Sequence, residues 1–337
     1  MINLAVFGAG RIGAVHALNA AAHPGVRLKY VVDPVSTEQR GELAAKTGAA
    51  IVDQETVFDD PDIAGVVIAS STDTHAELVL KAVAVRKAIF CEKPISLSFD
   101  LVEDVAEKVA VSGVACMLGF QRRYDPNFRM VHDRISSGAA GRLEHIVMHT
   151  RDPSPPPRAY VERSGGMFRD QAIHDFDMAR YLLDEEIATV YAVGGCLIDP
   201  QIGEAGDIDT AMITLTSASG RFVQMNNCRR APFGYDQRLE ALCAKEALYV
   251  ENRLRDSVMI ASAAGFCVAP PMSYFIERFA DAYRMEMAAF VDMIETGRKP
   301  LAGMRDGLEA QRLAEAALAS MESGFPVRLG ANWRPPS

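Results

Sequence analysis

The first 120 residues alternate between short apolar runs and longer segments of helical character. Leu4–Phe7, Leu28–Val32, Val66–Ala69, Ala88–Cys91 and Val114–Leu118 are near-continuous apolar runs, the pattern of strands buried on both faces. Between them, Ile12–Ala22, Thr37–Thr47, Thr74–Val83 and Phe99–Val111 carry helical periodicity or helix-forming composition. Strands and helices in alternation with short links imply βαβ crossovers and a doubly wound parallel sheet, an α/β fold. The rhythm breaks at Arg122-Arg123-Tyr124-Asp125-Pro126, which predicts one domain over 1–120 and a second over 121–337.

The second part reads differently. Leu143–Thr150 predicts a strand, and the prolines of the loop Asp152–Pro157 exclude that loop from a central strand. A helix follows from about Ile173 to Leu183. Strand-like segments come next at Thr189–Val193, Thr210–Leu215, Phe222–Asn226, Arg238–Ala244, Ala247–Val250 and Val258–Ala261. With few helices between them, they predict an open, mainly antiparallel sheet in an α+β domain. Helical segments near Tyr274–Thr296 and Asp306–Ser323 close the chain.

Composition narrows the function. The chain has 337 residues, 49% of them hydrophobic, which fits two globular domains and excludes a disordered chain. Its 35 Lys and Arg against 44 Asp and Glu give a net charge of −9, a field that repels nucleic-acid backbones. The cysteines at 91, 116, 196, 228, 243 and 267 form no C-x-x-C pair, and the histidines show no metal-ligand spacing. Free thiols in a reducing cytosol are the expectation, and no metal is called for. No stretch approaches the roughly 20 apolar residues of a membrane span, and no basic region precedes the first apolar run. The expected location is cytoplasmic, without a membrane or nucleic-acid partner.

Gly8-Ala9-Gly10-Arg11-Ile12-Gly13 matches G-x-G-x-x-G between a predicted strand and a predicted helix, the context a dinucleotide-binding Rossmann turn requires. Asp33 lies at the end of the next strand, where a carboxylate accepts from a ribose hydroxyl and repels a 2′-phosphate. NAD is therefore favoured over NADP. In Ala69-Ser70-Ser71-Thr72-Asp73-Thr74-His75, Ser70, Thr72 and His75 are candidate cofactor contacts, although Thr72 or Thr74 could equally cap the helix. Cys91-Glu92-Lys93-Pro94 puts Glu92 and Lys93 at another strand end. An ammonium there can stabilise a developing alkoxide, while the plain alternative is a solvated Glu–Lys pair. Farther on, Asp170, His174 and Asp177 stand four and three apart, one helical face on which a carboxylate can orient a proton-accepting imidazole. Spacing alone favours a capping aspartate and a surface histidine.

Taken together these segments resemble the glucose–fructose oxidoreductase/inositol dehydrogenase/rhizopine-catabolism (Gfo/Idh/MocA) family, and within it the bacterial inositol 2-dehydrogenases. The resemblance spans nearly the whole chain. It rests on Gly8–Gly13, Glu92-Lys93-Pro94, Gly119–Asp125 and Ser164-Gly165-Gly166 through Asp170, His174 and Asp177, with Glu204–Thr210 and Gly234-Tyr235-Asp236. It implies a Rossmann domain joined to a sheet domain that assembles as a homotetramer, and a role in inositol catabolism. It also implies Lys93, Asp170 and His174 as catalytic group, with Arg123, Asp152, Gln171 and Tyr235 lining a polyol pocket. The implied reaction is NAD-dependent oxidation of a cyclic polyol, myo-inositol at C2 giving 2-keto-myo-inositol. Gln171 stands where threonine is common, Asp152 where asparagine is, and Ser71 where proline is, departures that bear on which polyol is preferred. Alternatives are a dehydrogenase of another inositol isomer or a pyranose, a non-redox enzyme using NAD internally, and a regulator that binds NAD without turnover.

Overall fold

The computed structural model describes residues 1–330 and 333–335. They form two compact units: residues 1–125 with 281–309, and residues 126–280 with those from 310 onward.

In the first unit the elements run β1 (Ile2–Phe7), α1 (Arg11–Ala22), β2 (Val26–Val32), α2 (Glu38–Thr47), β3 (Ala50–Ile51), α3 (Gln54–Asp59), β4 (Ile63–Ile68), α4 (Thr72–Ala84), β5 (Ala88–Glu92), α5 (Phe99–Ser112) and β6 (Cys116–Gly119). The six strands are all parallel, in the order β3-β2-β1-β4-β5-β6. Chain direction across the sheet reverses between β1 and β4, so the carboxyl ends of those strands frame the crevice where such sheets take ligands. Local chemistry sets the helix limits. Thr37, Asp53 and Ser98 cap α2, α3 and α5 through their side-chain oxygens, and left-handed Gly48 and Gly113 end α2 and α5.

The remaining elements are α6 (Pro126–Ser136), β7 (Leu143–Arg151), α7 (Arg158–Ser164), α8 (Gly166–Asp170), α9 (Ile173–Leu183), β8 (Ile187–Gly195), α10 (Pro200–Glu204), β9 (Thr210–Ser217), β10 (Phe222–Cys228), β11 (Asp236–Cys243), β12 (Ala247–Val250), β13 (Met259–Ser262), β14 (Gly265–Val268), α11 (Phe275–Arg278), α12 (Ala280–Thr296), α13 (Met304–Ser323) and β15 (Val327–Arg328). Seven strands pair in the order β12-β11-β7-β10-β9-β8-β15, all antiparallel except β7 with β10. The α/β architecture with a mainly antiparallel second sheet is the one expected from the alternation pattern. Burial alternates along β7 and β9, with Ile146, Met148, Ala211, Ile213 and Leu215 on the covered face. α9 packs on β7, and buried Ser320 of α13 accepts from the Ala192 backbone of β8. No helix among the described residues is long and apolar enough to cross a membrane.

Three details differ from the sequence-based expectations. Residues 281–309 pack with the first unit, whereas a division at residue 120 leaves them in the second. Met287, Phe290, Val291 and Met293 of α12 share one core with Leu4, Val6, Val67 and Phe90. Gly65 on β4 makes room for this, since a Cβ there would stand 3.0 Å from Phe290. An amphipathic helix advertises its apolar face but not the sheet it will cover. Second, the helix expected over Tyr274–Thr296 is broken between α11 and α12 at Phe279, fully buried beneath the Arg278 guanidinium at 4.6 Å. Third, the strand expected at Val258–Ala261 forms a separate exposed hairpin, β13–β14.

Candidate active site

The glycine-rich turn shows why each glycine stands where it does. Gly8 holds φ +99°, and a Cβ there would lie 2.5 Å from the Ala69 carbonyl oxygen. A Cβ on Gly13 would stand 2.0 Å from the Gly8 carbonyl oxygen, so only glycine lets α1 approach the turn this closely. Gly10 faces open space, and α1 begins with no side-chain cap and no acid in its first turn. Exposed Arg11 and half-buried Ile12 open that helix. Unsatisfied N–H groups at an uncapped helix start, beside a position kept clear of side chains, form a cradle for a pyrophosphate. The residues present therefore fit a dinucleotide.

Asp33, just past β2, accepts from the Ala9 N–H at 2.7 Å and from the Val35 N–H at 2.9 Å. Its backbone carbonyl accepts from Arg40 at 2.6 Å. The carboxylate is thus locked against the glycine turn at the end of a neighbouring strand, where a ribose would be read.

At the end of β4, Ser70 Oγ lies 2.6 Å from Thr74 Oγ1, Ser71 stands at the N-cap and Thr72 is the first residue of α4. His75 departs from its expected role. Its ring is buried between the Pro94 carbonyl oxygen at 2.9 Å and the Ser70 carbonyl oxygen at 3.1 Å, and burial pulls its pKa down. It works as an internal strut tying the start of α4 to the segment after β5. That segment carries half-buried Glu92 and Lys93. Arg123, expected to line the pocket, follows β6. It is 4% exposed and turns inward, donating to the Leu301 carbonyl and pairing with Asp306 at 2.9 Å. It ties the turn after β6 to Leu301 and to the first turn of α13.

In the second unit, a charged group gathers around a residue that the sequence reading missed. Arg229, just after β10, is 3% exposed and faces three carboxylates: Asp170 at 3.1 Å, Asp152 at 3.6 Å and Asp207 at 3.8 Å. Asp170 also accepts from the Tyr160 hydroxyl at 2.9 Å, so two donors fix its carboxylate. Asp207 Oδ1 accepts from the Met167 N–H at the start of α8, and left-handed Gly166 leaves room for it. This joins the Ser164-Gly165-Gly166 and Glu204–Thr210 segments that the sequence singled out separately. Gln171 donates to Asp152 at 2.7 Å and to the Cys228 carbonyl at 3.2 Å. Burial pushes the Asp152 carboxyl up to about 6; Arg229 opposes the rise and Asp170 adds to it.

Asp170 closes α8 and His174 lies in the first turn of α9, with Gln171 and Ala172 between the helices. Both candidates are half-buried. Asp175 and Asp177 are buried, and Asp175 accepts from Thr150 and Asn227 at 2.8 and 2.7 Å, fastening α9 to the sheet. Tyr235 is 7% exposed, with its ring edge-on to Tyr274 and Phe279 at 5.9 and 6.3 Å. The adjacent Asp236 is fully buried. Burial would raise its pKa, but Arg238, Asn252 and Arg151 together hold it below the ordinary carboxylate range.

Comparison with known proteins agrees with this architecture over the full length. Residues 2–120 match the model of the oxidoreductase family with NAD-binding Rossmann fold, and residues 128–249 match the GFO/IDH/MocA C-terminal domain. The chain is 41% identical over 322 residues to inositol 2-dehydrogenase of Rhizobium meliloti, covering 95% of this chain and 97% of the relative. Among solved structures, a myo-inositol dehydrogenase of Corynebacterium glutamicum superposes with a TM-score of 0.94 at 38% identity, covering 98% of this chain and 99% of that one. A scyllo-inositol dehydrogenase of Lactobacillus casei, solved with bound NAD(H) and scyllo-inositol, superposes with a TM-score of 0.90 at 26% identity, covering 97% and 99%. The strand order, the glycine turn and these full-length likenesses place the chain in the GFO/IDH/MocA family of NAD-binding oxidoreductases.

Proposed function

We propose that the protein is an NAD-dependent dehydrogenase that oxidises a ring hydroxyl of an inositol, myo-inositol at C2, to the corresponding ketone. One observation carries the chemical part of this reading: the Asp170 carboxylate is fixed by Tyr160 and Arg229 one short turn before half-buried His174. A held carboxylate beside an accessible imidazole is the arrangement that proton removal from a neutral hydroxyl needs. The full-length likeness to inositol dehydrogenases supports the choice of substrate.

When bound, NAD supplies the hydride acceptor. The protein's own residues carry the rest. Gly8, Gly10 and Gly13 leave backbone exposed to the pyrophosphate, Ser70 and Thr72 stand beside them, and Asp33 selects the unphosphorylated ribose. Lys93 donates a hydrogen bond to the reacting oxygen and stabilises its developing charge. His174 accepts the hydroxyl proton, and Asp170 orients the ring and stabilises its cation. Asp152, Gln171 and Tyr235 are assigned to polyol recognition. With its amide nitrogen held by Asp152, Gln171 keeps its side-chain oxygen Oε1 buried without a hydrogen-bond partner among the described residues.

The open face of the seven-stranded sheet supports assembly. Tyr191, Val193, Met212, Phe222 and Tyr249 are 38–59% exposed on the face opposite the core, more apolar surface than a free sheet face usually shows. We assign this face to a homotetramer interface. Six free cysteines fit a cytoplasmic setting, and the reaction suits inositol catabolism.

The test is a panel of myo-inositol, scyllo-inositol, other isomers and glucose, assayed with NAD and NADP for absorbance of the reduced cofactor. Turnover of myo-inositol with NAD is expected. A preference for glucose, or cofactor binding without turnover, overturns the reading.

A further inference from the structure

Beneath the end of β5 the first unit gathers three polar side chains, two buried and Glu92 half-buried. His16 on α1 is fully buried, and its Nε2 lies 2.7 Å from Glu92 Oε1. Glu286 on α12 is also fully buried, and neither of its carboxyl oxygens has a hydrogen-bond partner among the described residues. One ligating atom from each of the three lies within 4.8 Å of the other two. The surrounding wall is aromatic, with Phe90 and Tyr283 edge-on to the His16 ring at 4.7 and 5.8 Å. Among the described residues, His16 from α1 and Glu92 from β5 are the titratable groups shown beside Glu286, and Tyr283 on α12 lies against the His16 ring.

Two carboxylates so close in an apolar enclosure cannot both hold a full charge. Burial first, and the Glu92 charge second, push the Glu286 carboxyl well above the ordinary range. A divalent cation suits the geometry less. Zinc ligands surround the ion at roughly 2.0–2.2 Å and stand apart from one another, whereas His16 and Glu92 are already in direct hydrogen-bond contact.

We propose that Glu286 is a neutral carboxylic acid that closes the gap of up to 4.8 Å to donate its proton to Glu92 and, with His16, fixes the end of β5 so that Lys93 is correctly presented. Glu286 is thereby a positioning residue. The part that concerns Lys93 rests on the dehydrogenase reading above. Close packing makes the site sensitive: a Cβ on Gly119 of β6 would stand 2.9 Å from the Glu92 carboxyl carbon, so β6 confines Glu92 on the side away from His16.

The test uses the full-length protein with Glu286→Gln and Glu286→Leu. At mildly alkaline pH, where Asp152 is ionised, infrared difference spectra are expected to show a protonated-carboxyl band that Glu286→Gln abolishes. The folded protein keeps this proton where an unfolded chain has released it, so stability falls as pH rises from the ordinary carboxyl range upward. Glu286→Gln should remove that slope in the melting temperature and lose no stability at neutral pH. In turnover, Glu286→Gln should stay within roughly threefold of wild type, because the amide still donates to Glu92. Glu286→Leu should lower kcat by roughly ten- to a hundredfold, the scale of one lost hydrogen bond to a charged group, with NAD affinity little changed. Absence of the band, equal damage from Gln and Leu, or a stoichiometric metal ion overturns the proposal. If wild type turns over no polyol, the Lys93 part fails with the dehydrogenase reading, while the band and the melting slope still decide the proton assignment.

Discussion

Gln171 donates its side-chain amide to Asp152 at 2.7 Å, holding a carboxyl whose pKa is pushed up to about 6. The folded chain therefore keeps the Asp152 proton over a range where an unfolded chain has already lost it. By linkage, the stability contributed by Asp152 is present below the ordinary carboxyl pKa and lost as pH rises through about 6. Asp152→Asn cannot titrate. Melting curves across mildly acidic pH should show a shallower fall for Asp152→Asn than for wild type. Parallel curves would mean that Asp152 is ionised throughout.

Arg229 is the one cation shown facing Asp170, Asp152 and Asp207 together, and it is 3% exposed. Removing one partner of a buried charge group costs about 3–5 kcal/mol, because the remaining charges stay out of water uncompensated. Arg229→Met should therefore be among the most destabilising single changes in the second unit. It should also push the Asp152 carboxyl higher still, since Arg229 is what holds it down. A melting temperature close to wild type would show that water reaches these carboxylates and that the arginine is not their main support.

How far the sequence speaks depends on whether a residue's constraint is local. Gly8 and Gly13 are legible because their demands lie within one turn: a positive φ and a contact that no Cβ permits. Asp33 is legible because a strand end fixes its position. Arg229 is not, since its meaning requires Asp152 after β7, Asp170 at the end of α8 and Asp207 before β9 to converge across the fold. An arginine after a strand looks solvated until that happens. His75 and Arg123 are hard to read for the opposite reason. Their residue types suit a ligand, but the packing turns them inward onto backbone carbonyls. The same limit applies to α12, whose periodicity predicts a helix and gives no sign of which core receives Phe290.

Asp33 combines two tasks that one pair of substitutions separates. Asp33→Ser removes the charge that disfavours a 2′-phosphate and weakens the bonds to Ala9 and Val35. Asp33→Asn keeps a hydrogen-bonding side chain but no negative charge. Both should lower the ratio of NAD to NADP efficiency, and Asp33→Ser should also raise the KM for NAD by loosening the glycine turn. Measured kcat/KM with each cofactor gives the ratio. A wild type that prefers NADP would remove the basis for assigning selectivity to this carboxylate.

His174 carries the most direct prediction. General-base help is worth roughly 10²–10⁴-fold, so His174→Ala should lower kcat by about that range. The turn proposed to cradle NAD is built from Gly8, Gly10, Gly13 and Asp33 in the first unit, and His174 belongs to the second. Cofactor affinity, read from NADH fluorescence titration, should therefore be unchanged while turnover collapses. Asp170→Asn should fall between wild type and His174→Ala, because Tyr160 and Arg229 still hold the side chain while its charge is gone. The order matters more than either value. If Asp170→Asn were more damaging than His174→Ala, Asp170 rather than the imidazole would be the group that takes the proton.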